Sequence, residues 1–257
     1  MLPIYLINLQ RHTERLEQFK ANNPFLIKHL NVFTAYDGYR LARRQLIMDG
    51  LITDRNNYDA RSLGILKSHS ELWKIAAKSE HGITIMEDDV IVHPDFMKMN
   101  NELIENKQKY DIIAWGYNLD WPIRLQTAKG LPSSLISYLV KVGQTDQFHG
   151  FNQIGSYGDK IDKETYLSQT ITPSFIPTKM FAGLPCYSIT PQCAQALLDQ
   201  FPIDIYNIHF YGAVCAKNNE SGIDITLEYL YRNMNVVIAS PFLAYSNNEK
   251  LTNTPKE

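Results

Sequence analysis

The chain has 257 residues, of which 44% are hydrophobic, enough for one elaborated α/β domain or two small ones, and it reads as one. Lys and Arg total 25 against 27 Asp and Glu, a formal charge of -2. No overall field therefore draws the chain to nucleic acid or to an anionic membrane, and an anionic ligand must be held by local groups. Cys186, Cys193 and Cys215 have neither zinc-ligand nor CxxC spacing and read as reduced core thiols, which points to the cytosol. The N-terminus lacks the basic lead and long apolar run of a signal peptide, and no later segment approaches the roughly 20 apolar residues of a membrane-spanning helix.

In chain order, the β-branched run at 4–9 reads as a strand that hands over to a polar helix starting at Thr13 and stopping before Asn22, Asn23 and Pro24. Residues 30–35 read as a second strand closed by Asp37 and Gly38, and 40–48 as a short helix ended by Asp49 and Gly50. The most regular helix is 62–79, where Leu63, Leu66, Trp73 and Ala77 recur at helical spacing. It leads into Ile83, Thr84, Ile85 and Met86, a strand covered on both faces, which ends abruptly in Glu87, Asp88 and Asp89 before apolar character resumes at Val90. A helix from Pro94 to about Lys107 and a strand at 110–115 follow. Strands alternating with helices predict a Rossmann-like, doubly wound, mostly parallel sheet flanked by helices. Residues 116–177 dissolve into Gly, Ser, Asp, Gln and aromatics and read as a loop-rich insertion or lid. Order returns with 181–189, a helix at 191–201, a helix near 225–232 and a last strand at 236–239; the polar tail 247–257 reads as frayed.

Three adjacent carboxylates at the end of a buried strand repel one another and are costly to desolvate, so a cation is the natural thing to hold them together. All-oxygen ligation suits Mg²⁺ or Mn²⁺, usually shared with a substrate phosphate. Glu87 and Asp89 are the expected metal pair, because alternate residues of an extended chain point the same way; Asp88 would face the other side or a ribose hydroxyl. The plain alternative is a polar strand end that caps the next helix. The loop after the first strand places Asn8, Leu9, Arg11 and Arg15 at a strand's carboxyl end and a helix's amino end, which favours phosphate or nucleotide binding, against the alternative of a solvated helix face. Neither GxGxxG nor GxxxxGK[ST] occurs, which removes most support for kinase, P-loop and dehydrogenase readings. His69, beside Ser68 on the apolar stripe of the long helix, reads as a hydrogen-bonded core residue or as a group near the ligand. Asp224 is a candidate general base, although Ser221 and Asp224 also have the spacing of a capping box. His209 is a lone histidine that reads as a third metal ligand or as nothing.

Together these pieces resemble glycosyltransferase family 25, the group that contains bacterial lipooligosaccharide galactosyltransferases and collagen galactosyltransferases. Ile4 to Leu9 with Arg15 looks like the family's opening strand, its "INL" loop and a following arginine. Gly64, Ser68 and His69 followed by Glu87, Asp88 and Asp89 look like its glycine, "SH" helix and "EDD" strand. The segment 183–198 is similar to its later strand and helix, and Asp224 looks like the acid of its closing portion. The resemblance implies a GT-A-like fold, a UDP-sugar donor, commonly UDP-galactose, and Mn²⁺ or Mg²⁺. On this reading donor contacts are expected at Asn8, Leu9, Arg11, Arg15, Gly64, Ser68, His69 and Asp88, metal contacts at Glu87 and Asp89, and Asp224 is expected to be the base of an inverting transfer. The acceptor would be a glycan or glycolipid of the bacterial lipooligosaccharide or capsule type, met in the cytoplasm at the inner face of the membrane. The family also holds members thought to be inactive. A non-catalytic nucleotide- or saccharide-binding protein therefore stays open, as does a metal-dependent phosphohydrolase using the same acids. Residues 131–142 read as a helix packed on the sheet, with a short membrane-facing helix as the alternative.

Overall fold

The computed structural model describes residues 1–105, 109–119, 123–126, 132, 134–136, 161–202 and 222–246, with the backbone alone at 104, 105, 135, 224, 225, 228, 229 and 232. Among these residues, nine strands form one sheet. They are β1 (Ile4–Asn8), β2 (Leu30–Thr34), β3 (Ile83–Glu87), β5 (Ile112–Gly116), β6 (Ile123–Leu125), β7 (Ser134–Ile136), β8 (Ser174–Met180), β9 (Cys186–Ile189) and β10 (Val236–Ser240). Their order is β2-β1-β3-β9-β5-β10-β8-β6-β7, and a separate ribbon pairs β4 (Val90–Val92) with β11 (Ala244–Ser246).

Strand after strand alternates between two apolar cores, which is why the sequence shows near-continuous hydrophobic runs. Ile83, Ile85, Ile112, Ala114, Val236 and Ile238 face one core, which α3 (Ala60–Lys78), α6 (Pro191–Gln200) and α7 (Ile223–Leu230) cover. Their neighbours Met86, Ile113, Trp115, Val237 and Ala239, with Ile4 and Leu6, face the other. That second core is closed by α1 (Thr13–Asn22), α4 (Phe96–Glu105), α5 (Lys163–Ser168) and the β4–β11 ribbon; the remaining helix, α2 (Arg43–Met48), buries only Leu46. Helix starts follow local chemistry: Asp59 caps α3 by accepting from Ser62 N, and Thr190 caps α6 ahead of Pro191.

The α/β class and the opening strand-helix-strand order are as expected, but the sheet is mixed. β9 runs antiparallel between β3 and β5, and β8 is antiparallel to β10, because nothing in a short apolar run encodes strand direction. The stretch 116–177, expected to be loop-rich, supplies β6, β7, α5 and the start of β8 to the sheet edge and second core. β6 and β7 are three residues each, too short for a periodic signal, and Pro177 inside β8 argues locally against a strand. The helix expected at 131–142 is corrected at 134–136, which pair with β6 as strand β7; most of the remainder lies outside the described residues. Cys186 and Cys193 are buried free thiols, while Cys215, His209 and the tail 247–257 lie outside the described residues.

The chain leaves the main sheet at Asp88 and Asp89, and one buried side chain sets where it goes. Asn23, fully buried at the end of α1, donates from Nδ2 to the carbonyls of Phe19 and Val90 at 2.9 Å each, and its Oδ1 accepts from Val92 N at 2.7 Å. Replacing Asn23 with Ala strips partners from two buried backbone groups of β4, and a loss of about 2–4 kcal/mol in urea unfolding is expected. A change under about 1 kcal/mol would mean that the ribbon holds β4 without this clamp.

Candidate active site

Chain order places the site. From β1 the chain steps to β2 on one side and then to β3 on the other, so the switch point of the sheet lies outside the carboxyl ends of β1 and β3, where open α/β sheets receive ligands. The residues there are Asn8, the last of β1, and Glu87, the last of β3.

The expectation that Glu87 and Asp89 project together rested on an extended chain, and the chain turns instead at Asp88 and Asp89. The three acids stay near one another but take different partners. Asp88 accepts from Asn8 Nδ2 at 2.7 Å and pairs closely with Arg15 Nη2. Asp89 Oδ2 lies 3.5 Å from the same Arg15 nitrogen, and the Ser246 hydroxyl of β11 bonds its carboxylate. Glu87 Oε1 lies 3.8 Å from His69 Nε2. Burial, and next the negative charge of Glu87, raise the Asp89 carboxyl from an ordinary 3.8 to about 6, with Arg15 opposing. In the turn after β1, His12 is held below the usual histidine range by burial and then by the charges of Arg11 and Arg15, with Asp88 and Asp37 opposing.

His69 is oriented by a buried chain of hydrogen bonds. The Tyr187 hydroxyl accepts from the Trp73 indole N–H at 2.9 Å and lies 2.8 Å from His69 Nδ1. If it donates its own proton there, Nδ1 is the acceptor and Nε2 carries the hydrogen that faces Glu87; we assign this tautomer from the network. Tyr187 lies in the segment 183–198 that carries part of the family likeness, and a tyrosine in a fully buried strand must find a polar partner. Tyr187→Phe should leave the Trp73 N–H and His69 Nδ1 buried and unpaired, lowering unfolding free energy by about 2–4 kcal/mol; a variant as stable as the parent would refute the network.

The other predicted contacts fall into different places. Arg11 pairs with Asp37, which also lies 3.6 Å from Arg40 Nε, so this ion cluster ties the loop after β2 to the loop after β1. Leu9 contributes its carbonyl, which accepts from His12 N at 2.7 Å and closes the turn. The Ser68 hydroxyl donates to Gly64 O at 2.7 Å and accepts from Tyr36 N at 2.9 Å, anchoring the loop after β2. Gly64 is where α3 and that loop touch: a Cβ there would meet Tyr36 O at 2.6 Å and Gly38 N at 2.8 Å. Asp224 is the second residue of α7, whose N-cap is Gly222, so the Ser221–Asp224 capping box is not the start this helix uses. The Tyr58 hydroxyl bonds Gly222 O at 3.3 Å and the Thr226 hydroxyl, fastening the first turn of α7 to the approach into α3. Since α3 and α7 each lead into the amino end of a strand, these first turns lie at the same carboxyl edge as Glu87.

Among the described residues no three His, Cys, Asp or Glu side chains are grouped to enclose an ion. Two observations nevertheless fit a hard divalent cation at the acid turn. Asp89 Oδ1 is buried with no hydrogen-bond partner, and Glu87 and Asp89 repel each other. One or two carboxylates, with water and phosphate oxygens completing the shell, is how Mg²⁺-type ions are commonly held.

The fold and site define an α/β protein that presents acids and guanidinium groups at the switch point of its sheet. A family model described as "Glycosyltransferase family 25 (LPS biosynthesis protein)" matches residues 1–211, and the chain belongs to glycosyltransferase family 25. A curated relative, "Glycosyltransferase 25 family member" of Anopheles gambiae, is 23% identical over 225 residues, covering 81% of this chain and 37% of that protein. The chain thus spans little more than a third of the length of that relative. None of the described helices is long and apolar enough to cross a membrane.

Proposed function

We propose that this chain transfers a sugar, galactose in the first instance, from a UDP-sugar to a hydroxyl of a glycan or glycolipid, with a divalent cation and with inversion at the anomeric carbon. Family membership supports transfer of a sugar, and the family description's reference to LPS biosynthesis supports a glycolipid acceptor. The observation that carries the metal and diphosphate part of the reading is the acid turn itself: a partnerless Asp89 oxygen beside Arg15 at the sheet's switch point.

In this reading Glu87 and Asp89 would hold the cation, which would supply positive charge for the departing nucleotide diphosphate. Asn8 holds Asp88 in place, and Arg15 takes phosphate oxygens in its planar fork. His69 Nε2, 3.8 Å from Glu87 Oε1, is a polar neighbour of that carboxylate. Asp224 accepts the proton of the acceptor hydroxyl as that oxygen bonds the anomeric carbon and the sugar–phosphate bond breaks on the opposite face. A phosphohydrolase using the same acids would want further carboxylates converging on them, and the described residues supply none so grouped.

The test is release of nucleotide from UDP-galactose, UDP-glucose, UDP-N-acetylglucosamine and GDP-mannose with glycan and glycolipid acceptors, in Mn²⁺ and in EDTA. Mn²⁺-dependent, acceptor-dependent release from a UDP-sugar supports the reading, and the product's anomeric configuration checks inversion. Nucleotide binding without turnover across the panel would point to a binding protein on this fold.

A further inference from the structure

We infer that Arg15 is a resident counter-ion of the acid turn which a divalent cation and the donor's phosphates displace together, so that cation and nucleotide each strengthen the other's binding. The inference rests on the proposed metal and diphosphate site and goes on to how that site loads.

The geometry leaves one unused group of each polarity side by side. Arg15 Nη2 pairs with Asp88 and lies 3.5 Å from Asp89 Oδ2, whereas Arg15 Nε is buried with no hydrogen-bond partner. Asp89 Oδ1 is likewise buried and without a partner. The guanidinium therefore has a donor edge left for an anionic oxygen, and the carboxylate has an acceptor left for a cation. A cation arriving alone meets the positive charge of Arg15 and competes with it for Asp89. A phosphate arriving alone draws on an arginine already engaged by Asp88 and Asp89. Arriving together, the phosphate takes the guanidinium fork and Asp89 is released to the cation. Asp88 does not follow Arg15, because Asn8 Nδ2 holds its other oxygen at 2.7 Å. Two ligands that each relieve the other's competitor are positively coupled, and couplings of this kind commonly amount to about 5- to 150-fold in affinity.

The experiment is Mn²⁺ binding, read by electron paramagnetic resonance of free Mn²⁺, for the full chain, for Arg15→Gln and for Arg15→Gln combined with Asp89→Asn, each with and without UDP. Arg15→Met, which keeps the side chain's apolar stem, replaces the Gln variant if that variant melts below the assay temperature. The expected result is that Arg15→Gln binds Mn²⁺ alone at least about tenfold tighter than the parent, that UDP improves Mn²⁺ binding by about tenfold or more in the parent but by under about threefold in the variant, and that Asp89→Asn removes the gain. Equal Mn²⁺ affinity of parent and Arg15→Gln overturns the inference and leaves the metal site standing, as does a gain that survives Asp89→Asn. Absence of Mn²⁺ binding in every protein, with and without UDP, overturns the metal reading on which the inference rests.

Discussion

Asp89→Asn is expected to abolish sugar transfer while making the protein more stable at neutral pH. The amide keeps the shape of the side chain but gives up the charge a divalent cation would bind, so transfer should fall by about 10³-fold or more in kcat. Stability moves the other way because of the raised carboxyl pKa. Between an ordinary 3.8 and about 6 the folded protein holds a proton on Asp89 that the unfolded chain has released, so stability falls as pH rises through that interval. The penalty is absent below pH 3.8 and complete above about pH 6. In EDTA, the variant should therefore melt above the parent at pH 7.5 and level with it at pH 4. A variant that melts below the parent at pH 7.5 would contradict the electrostatics, and one that retains full Mn²⁺-dependent transfer would remove Asp89 from the site. This combination, a side chain that costs stability and is needed for activity, is what a functional carboxylate predicts and a helix-capping acid does not.

Asp224→Asn should lower kcat by about 10²- to 10⁴-fold with little change in donor KM, the loss expected when a general base is removed. Asp224 is the second residue of α7, whose N-cap is Gly222, so the Ser221–Asp224 spacing does not mark the start of this helix. An acid in the first turn of a helix is worth about 0.3–1 kcal/mol through its charge, so melting should shift by no more than about 4 °C. A large loss of stability with a proportionate loss of activity would make Asp224 a structural acid. An unchanged kcat would move the base elsewhere, to a residue outside the described part of the chain or to the acceptor itself.

Much of the fold was legible because periodic segments carried their own punctuation. The first helix, expected from Thr13 to just before Asn22, is observed at Thr13–Asn22 because breakers from Asn22 to Pro24 mark its end, and the helix expected at 191–201 is observed as Pro191–Gln200 because Thr190 and Pro191 mark its start. Strand direction was not legible. β9 has the same buried, apolar look as β3, and its antiparallel place between β3 and β5 depends on partners far away in sequence. The β4–β11 ribbon was invisible for a similar reason: Val90 to Val92 look like a continuation of β3, and their partners, Asn23 67 residues upstream of Val90 and β11 far downstream, are distant in sequence.

The candidate site divides in the same way. Asn8, Arg15, His69 and the three acids were marked by residue type at strand and helix ends, and the structure gathers them at one switch point. Their individual aims were not readable, because the turn at Asp88 and Asp89 ends the alternation that sequence spacing relies on. Gly64 and Ser68 are engaged in holding α3 against the loop after β2. Tyr187, Ser246 and Tyr58, which orient His69, Asp89 and the first turn of α7, come from distant segments with no local signal of that role.

The most direct test of a metal-assisted nucleotide-sugar site at the acid turn is the melting temperature of the purified chain with UDP, GDP, CMP or dTDP, each with Mn²⁺ and with EDTA. At 100 times its dissociation constant a ligand stabilises the native state by about 2.7 kcal/mol, a rise of about 5–10 °C for a protein of this size. The account predicts a rise of that order for UDP with Mn²⁺, a smaller one for either alone, and none for Asp89→Asn; the absence of any Mn²⁺-dependent shift with all four nucleotides would contradict it.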